Sequence, residues 1–256
     1  MKKVSFIGSG NVATHLALGL QEAGMDICEI FSSTPKNALK LASKVGAKAV
    51  SSITDLDVQG VDVIIISIKD DLIHSVSNAI GVSSTLIVHT SGTKSMDELS
   101  KHENRGVFYP LQTFSIESEL KLSNIPFCVE ASNLEELEIL KEMASLLSAD
   151  VRITNEETRK SIHVAAVVAC NFSNHMFALA EQLLLETGED LSILKPLIEE
   201  TVSKALDNHP KEVQTGPAVR EDQEVLKNHL HRLKGNPDFQ KLYQDISNSI
   251  IKLKNE

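Results

Sequence analysis

Along the first 154 residues, apolar positions fall into short runs separated by stretches of helical period, and beyond residue 155 the short runs stop. The opening run, residues 4–7, passes directly into a stretch in which Val12, Leu16, Leu20 and Ala23 recur on one helical face. That is the pattern of a strand, a tight turn and a helix. Further strands are expected at 26–31, 47–50, 61–68, 85–88 and 106–114, and at 126–130 and 149–153, which bracket a helix over 135–147. The run 61–68 is apolar throughout, as a strand covered on both faces of a parallel sheet must be. From Asn155 the pattern is helical: one long apolar-faced segment over 156–186, a helix over 191–207, a loop over 209–218, and two terminal helices split by Gly235-Asn236-Pro237. The expected fold is α/β, with a parallel-sheet domain over 1–154 followed by an all-α domain over 155–256.

Composition narrows the partners. With 25 Lys and Arg against 35 Asp and Glu, the net charge is −10, which disfavours nucleic acid or an anionic membrane as the main partner and leaves small metabolites. Cys28, Cys128 and Cys170 lie far apart in apolar surroundings and read as buried free thiols of a reducing compartment. No residues are spaced as a metal site. The apolar start is too short for a signal peptide, and no run reaches the length of a membrane span, so a cytoplasmic protein is expected.

The candidate chemistry begins at the first turn. Gly8-x-Gly10-x-x-Ala13 fits the dinucleotide-binding pattern of a Rossmann domain: one glycine makes the turn, the second admits a pyrophosphate, and a small residue lets helix and strand pack closely. Gly8, Ser9, Gly10, Asn11 and Val12 are therefore candidate cofactor contacts, at a helix N-terminus whose free N–H groups suit an anion. A tight turn of any α/β protein is the plainer reading. The second strand ends in Ser32-Ser33-Thr34-Pro35-Lys36 where an NAD enzyme usually carries a carboxylate. Hydroxyls, a helix start and Lys36 suit a 2′-phosphate, so NADP(H) is expected in preference to NAD(H). Lys36, Lys40 and Lys44 at helical spacing also fit a solvated face, as Lys44 does in either reading. Ile68, Lys69 and Thr90, at the carboxyl ends of the next strands, complete the expected cofactor set. Asp70 and Asp71 read as caps of the following helix.

For catalysis, His89-Thr90-Ser91-Gly92-Thr93 would lie beside the nicotinamide, with Ser91 either binding a substrate oxygen or making a turn. On the long helix, Ile162, Ala165, Ala169, Phe172, Met176 and Leu179 form an expected core stripe. Lys160, His163, Val167, Asn171 and Asn174 form a second line on another face. His163 is the candidate proton donor, histidine being the side chain that exchanges protons near neutral pH, with Asn171 and Ser91 as orienting groups. A satisfied core histidine and an asparagine bonded to backbone are the alternatives. Arg220 and Asp222 follow the loop on a helix start.

Six motifs coincide: Gly8-Ser9-Gly10-Asn11-Val12-Ala13, Ser33-Thr34-Pro35, Ile66-Ser67-Ile68-Lys69-Asp70-Asp71, His89-Thr90-Ser91-Gly92, Tyr109-Pro110-Leu111-Gln112-Thr113-Phe114 and Gln214-Thr215-Gly216-Pro217-Ala218-Val219-Arg220. Together they resemble the bacterial Rossmann-like NADP oxidoreductases with a C-terminal helical domain of unknown function. That family is similar to pyrroline-5-carboxylate reductase, the deazaflavin-dependent NADP oxidoreductases, and the 6-phosphogluconate and 3-hydroxyisobutyrate dehydrogenases. The resemblance implies a Rossmann domain, a helical domain, a homodimer formed through those helices, and a small-molecule substrate in a cleft between domains. Ser33 stands where many relatives have an arginine for the NADP phosphate, which shifts that role to Lys36. The Lys-x-x-x-Asn pair of the hydroxyacid dehydrogenases is absent, because Val164 lies four residues after Lys160. Reduction of a C=O or C=N group follows from this resemblance; a sensor or scaffold that holds NADP(H) without turnover is the alternative.

Overall fold

Strands form where aliphatic residues crowd the first half of the chain, and the helices between them set their direction. The computed structural model describes residues 2–115 and 120–256. Strands β1 (Lys3–Ile7), β2 (Asp26–Phe31), β3 (Lys48–Val50), β4 (Val63–Ile66), β5 (Leu86–His89), β6 (Arg105–Pro110), β7 (Phe127–Ala131) and β8 (Val151–Ile153) make one sheet in the order β3-β2-β1-β4-β5-β6-β7-β8. Helices α1 (Asn11–Glu22), α2 (Pro35–Val45), α3 (Ile73–Ala79) and α4 (Leu134–Leu147) intervene. Because β1 pairs with both β2 and β4, the strand order reverses at β1, and open α/β sheets bind ligands at the carboxyl ends of the strands flanking such a reversal.

Strands β1 to β6 run parallel, with Ile7 opposite Ile66 and Ile66 opposite His89. The expected parallel sheet needs one amendment: β7 runs antiparallel to β6, with Phe108 opposite Val129, and β8 follows β7 in parallel. The connection from β6 to β7 holds one short helical turn, Leu122–Asn124, among its described residues. A parallel neighbour needs a long crossover, whereas a returning strand does not.

Alternation along the strands separates two cores. Phe6, Ile65, Val88, Phe108 and Phe127 pack with Leu16 and Leu20 of α1 and Leu140 of α4 on one face. Ile7, Ile64, Ile66 and Ile87 pack with Ile73 of α3 on the other. All of β4 is buried, as its uniform apolarity foretold. Each such side chain contributes about 1.5–3 kcal/mol.

Strand character ends at Ile153, matching the expected change of pattern, but the compact units divide later, between Ser173 and Asn174. This point lies inside the long helix, which spans Glu156–Leu185. Its middle, Val167–Phe172, is π-helical. The expected core stripe is not buried: Phe172 is 57% exposed, beside Val164 at 62% and Val168 at 54%. By length and composition the helix could also cross a membrane, which corrects the expectation that no segment is long enough; helices that pack against protein meet that criterion too. Of the cysteines only Cys128 is buried; Cys28 is half-buried and Cys170 exposed, because the helix around Cys170 is uncovered.

The second unit, residues 174–256, continues from the long helix through helices Lys195–Asp207, Gln223–Arg232 and Pro237–Asn255. Gly188, at φ +80°, follows the long helix. Asp222 caps the helix after the loop by accepting from the Val225 N–H, and Asn236 does the same for Phe239.

Candidate active site

Strand β1 ends on Gly8, whose φ of +121° suits a residue without a Cβ. A Cβ there would lie 1.9 Å from the Ser67 carbonyl oxygen, so the glycine lets β1 turn against the neighbouring strand. Gly10 is the N-cap of α1 and no side chain caps the helix start. Nothing lies within 4 Å of where its Cβ would be. Ala13 is fully buried against the sheet. An open, uncapped helix start over a side-chain-free turn is what a pyrophosphate requires.

This turn forms part of a cavity of about 860 Å³. Of the residues expected from the sequence to contact a cofactor, Gly8, Ser9, Gly10, Asn11, Val12, Ser32, Ser33, Thr34, Ile68, Lys69 and Thr90 line it. Ser9 donates to Ser32 Oγ at 2.8 Å, tying the glycine turn to the end of β2. Lys36 does not line the cavity; Asn37, one residue on, does. The choice between them is a matter of helical phase, since consecutive residues of a helix face different ways.

The loop after β5 is held from below. Ser91 Oγ donates to Asp70 at 2.8 Å and accepts from the N–H groups of Thr93 and Lys94, both at 3.1 Å. Thr93 donates to the same carboxylate at 2.6 Å. Ser91 thus lines the cavity while its hydroxyl serves the turn, and Asp70 braces the neighbouring loop instead of capping a helix. Beneath them His89 is fully buried. Its Nδ1 accepts from the Ser91 N–H at 3.2 Å, leaving Nε2–H to donate to the Ser95 carbonyl at 3.2 Å. Burial, aided by the Arg159 guanidinium, pushes His89 down to about 4. The unfolded chain, at the ordinary value of 6.5, binds the proton more readily. Stability from His89 is therefore complete above pH 6.5 and is lost as pH falls toward 4. Going from pH 7 to 4.5 is expected to cost about 2–3 kcal/mol through this residue, since each tenfold difference in proton affinity between the folded and unfolded chain is worth about 1.4 kcal/mol. Urea unfolding at the two pH values checks this; a His89→Gln variant should lose most of that dependence.

At the far wall the Tyr109 hydroxyl lies 3.1 Å from His163 Nδ1. Burial pushes Tyr109 up to about 12, so it keeps its proton and can donate. With Nδ1 accepting, the imidazole carries its proton on Nε2. Gly92 makes the pair possible: a Cβ there would fall 2.6 Å from the Tyr109 ring and 2.8 Å from His163 Nδ1. One helical turn before His163, Arg159 is fully buried; it pairs with the Glu130 carboxylate and donates to the Lys94 carbonyl. It fastens the start of the long helix to β7 and to the loop after β5, and so sets where His163 stands.

Of the three residues expected to act on substrate, His163 and Ser91 line the cavity. Asn171 is exposed and does not line it. A π-helical turn bonds residue i to i+5, so the spacing that aligned Asn171 with His163 on an α-helix no longer holds. Tyr109, Gly92, Asp70, Asn37 and Phe114 line the cavity beyond the expected set. The place of Tyr109 near the carboxyl end of a strand was the sequence signal for it. Among the described residues no cluster of His, Cys, Asp or Glu could hold a metal ion.

Residues 3–91 match the family model of coenzyme F420-dependent NADP oxidoreductases, and residues 125–250 match a domain of unknown function, DUF2520. Among solved structures, a Bacteroides fragilis protein described as a candidate NADP oxidoreductase is 39% identical, covering 98% of each chain, with a TM-score of 0.89. A Thermotoga maritima protein, TM1727, is 22% identical over 98% of each chain with a TM-score of 0.76. A 1-pyrroline-5-carboxylate reductase of Streptococcus pyogenes shares the fold at 15% identity, covering 100% of this chain and 99% of its own, with a TM-score of 0.65. A search of curated proteins found no match.

Proposed function

This chain belongs to the NADP oxidoreductases in which a dinucleotide-binding domain is followed by a DUF2520 domain, and from that premise we propose that it binds NADP(H) and reduces a C=O or C=N group of a small metabolite. The observation that carries this reading is the Tyr109–His163 pair, set in the wall of the same cavity as the open glycine turn.

The residues fit the group. The uncapped start of α1, the space above Gly10 and the hydroxyls of Ser32, Ser33 and Thr34 offer donors to a diphosphate and a phosphorylated ribose, with no carboxylate at the end of β2. When bound, the reduced nicotinamide supplies the hydride that adds to the substrate carbon. The electron pair of the C=O or C=N bond then moves to the heteroatom, which takes the Nε2 proton of a doubly protonated His163 and leaves the imidazole neutral. In that acid form Nδ1–H donates to the Tyr109 oxygen, whereas in the neutral Nε2–H form Tyr109 donates to Nδ1, so the tyrosine holds the ring in place in both. Arg159 keeps the helix start, and with it His163, in position.

The test is NADPH oxidation against a panel of carbonyl and imine metabolites, followed by His163→Ala on any substrate found. Loss of a positioned proton donor is expected to lower kcat by about 10²–10⁴-fold with NADPH affinity unchanged. Unchanged turnover removes His163 from the mechanism, and tight NADPH binding with no turnover on the whole panel returns the protein to the sensor reading.

A further inference from the structure

Asp70 stands in the wall of the large cavity with half of its carboxylate unused. The Ser91 and Thr93 hydroxyls both donate to Oδ2, at 2.8 and 2.6 Å, which fixes the position of the group. No hydrogen bond among the described residues uses Oδ1, and the side chain is only half-buried, so that oxygen is free to accept. Asp70 is in no ion pair among those residues either. The cations of the neighbouring elements are already engaged, Arg159 with Glu130 and Lys94 with Glu98 at 3.6 Å. Among the described residues that line the cavity, Asp70 is the one carboxylate, and the one ammonium, Lys69, stands with the expected cofactor contacts. A carboxylate that faces a cavity without a cation of its own attracts one.

The same carboxylate lies close to the proton donor. Ser91, which bonds to Asp70, is followed by Gly92, and Gly92 lies against both Tyr109 and His163. Carboxylate and imidazole thus flank one short loop. We infer that Asp70 binds an ammonium group of the substrate, which is an amino ketone or amino aldehyde and not a keto acid. This rests on the reading of the large cavity as a reductase site. In the reaction the carbonyl carbon accepts hydride from NADPH, its π electron pair moves to the oxygen, and the oxygen takes the Nε2 proton of His163. The ammonium keeps its protons and stays paired with Asp70 throughout. An iminium would also suit the carboxylate, but a C=N bond that already carries the positive charge accepts hydride without a proton, which leaves the Tyr109–His163 pair nothing to give. A keto acid would bring a second carboxylate beside Asp70, and the like charges repel.

NADPH oxidation with aminoacetone, hydroxyacetone and pyruvate, small ketones that are cationic, neutral and anionic, and with their homologues one carbon longer, tests this. The wild type is expected to show a kcat/KM about tenfold or more higher for the amino ketone than for the hydroxy ketone of the same length, the effect of one charge-assisted hydrogen bond. In Asp70→Asn the amide oxygen still accepts from both hydroxyls, so the loop keeps its brace while the charge is lost. The preference is then expected to fall below about twofold, mainly through KM. A loosened loop would instead slow both ketones alike. Three results overturn the inference: a wild type that reduces the hydroxy ketone or the keto acid as well as the amino ketone; an Asp70→Asn protein that keeps the preference, whatever its overall loss; or turnover confined to imines. In each of these the reductase reading still stands. If the wild type oxidises NADPH with none of these compounds and with none of the wider carbonyl and imine panel, the functional reading itself fails, and this inference with it.

Discussion

Gly10→Thr is expected to abolish NADPH binding, weakening it by about 100-fold or more, while leaving the melting temperature within about 2 °C of the wild type. Threonine serves about as well as glycine at an N-cap, and at φ −75°, ψ −170° any L-residue is unstrained. No atom of the described chain lies within 4 Å of the added Cβ, so the fold does not resist the change. The ligand would. The new side chain fills the space over the turn, and its hydroxyl can take the N–H groups that a diphosphate needs. Isothermal titration with NADPH beside a thermal melt reads both effects. Retained affinity would remove the glycine turn from the binding site.

Gly8→Ala should behave in the opposite way, failing as a fold before it fails as a binder. A Cβ at φ +121° is strained wherever it points, and here it points at a backbone carbonyl 1.9 Å away. The obstacle cannot retreat. Ser67 N–H donates to the Ile7 carbonyl at 2.8 Å, and Gly8 N–H donates to the Phe31 carbonyl at 2.8 Å, so both sides of the turn are held by the sheet. The expected loss is about 3–5 kcal/mol, or roughly 10 °C in melting temperature, measured by calorimetry. A variant that melts with the wild type would mean that the turn tolerates a side chain and that its geometry differs from the one described. Two glycines of one motif thus separate: one protects the chain from itself, the other leaves room for a ligand.

The residues that line the large cavity were for the most part legible in the sequence, because they sit at the ends of elements with strong periodicity. Val4 to Ile7, the α1 stripe and the apolar β4 identify the strand ends, and Ser9, Ser32 and Thr90 follow from position alone. The wall that holds Tyr109 and His163 was less legible. Tyr109 and His163 are 54 residues apart, and their meeting depends on Gly92, on a strand that reverses between β6 and β7, and on the Arg159–Glu130 pair. Asn171 and Lys36 were placed by ideal helical spacing. A π-helical stretch interrupts that spacing before Asn171, and the turn of α2 presents Asn37 in place of Lys36.

By itself the sequence determined the succession of strands and helices, the change of character near residue 154, and the side-chain-free turn at Gly8 and Gly10. Each of these rests on interactions within a few residues, which spacing records directly. Only the tertiary structure decided that β7 turns back along β6, that the Ser91 hydroxyl is occupied by Asp70, that Tyr109 meets His163, and that the long helix leaves Cys170 and Phe172 uncovered. Those outcomes depend on register, on helical phase and on which surfaces come together, and residues distant in the chain carry no local mark of their future neighbours.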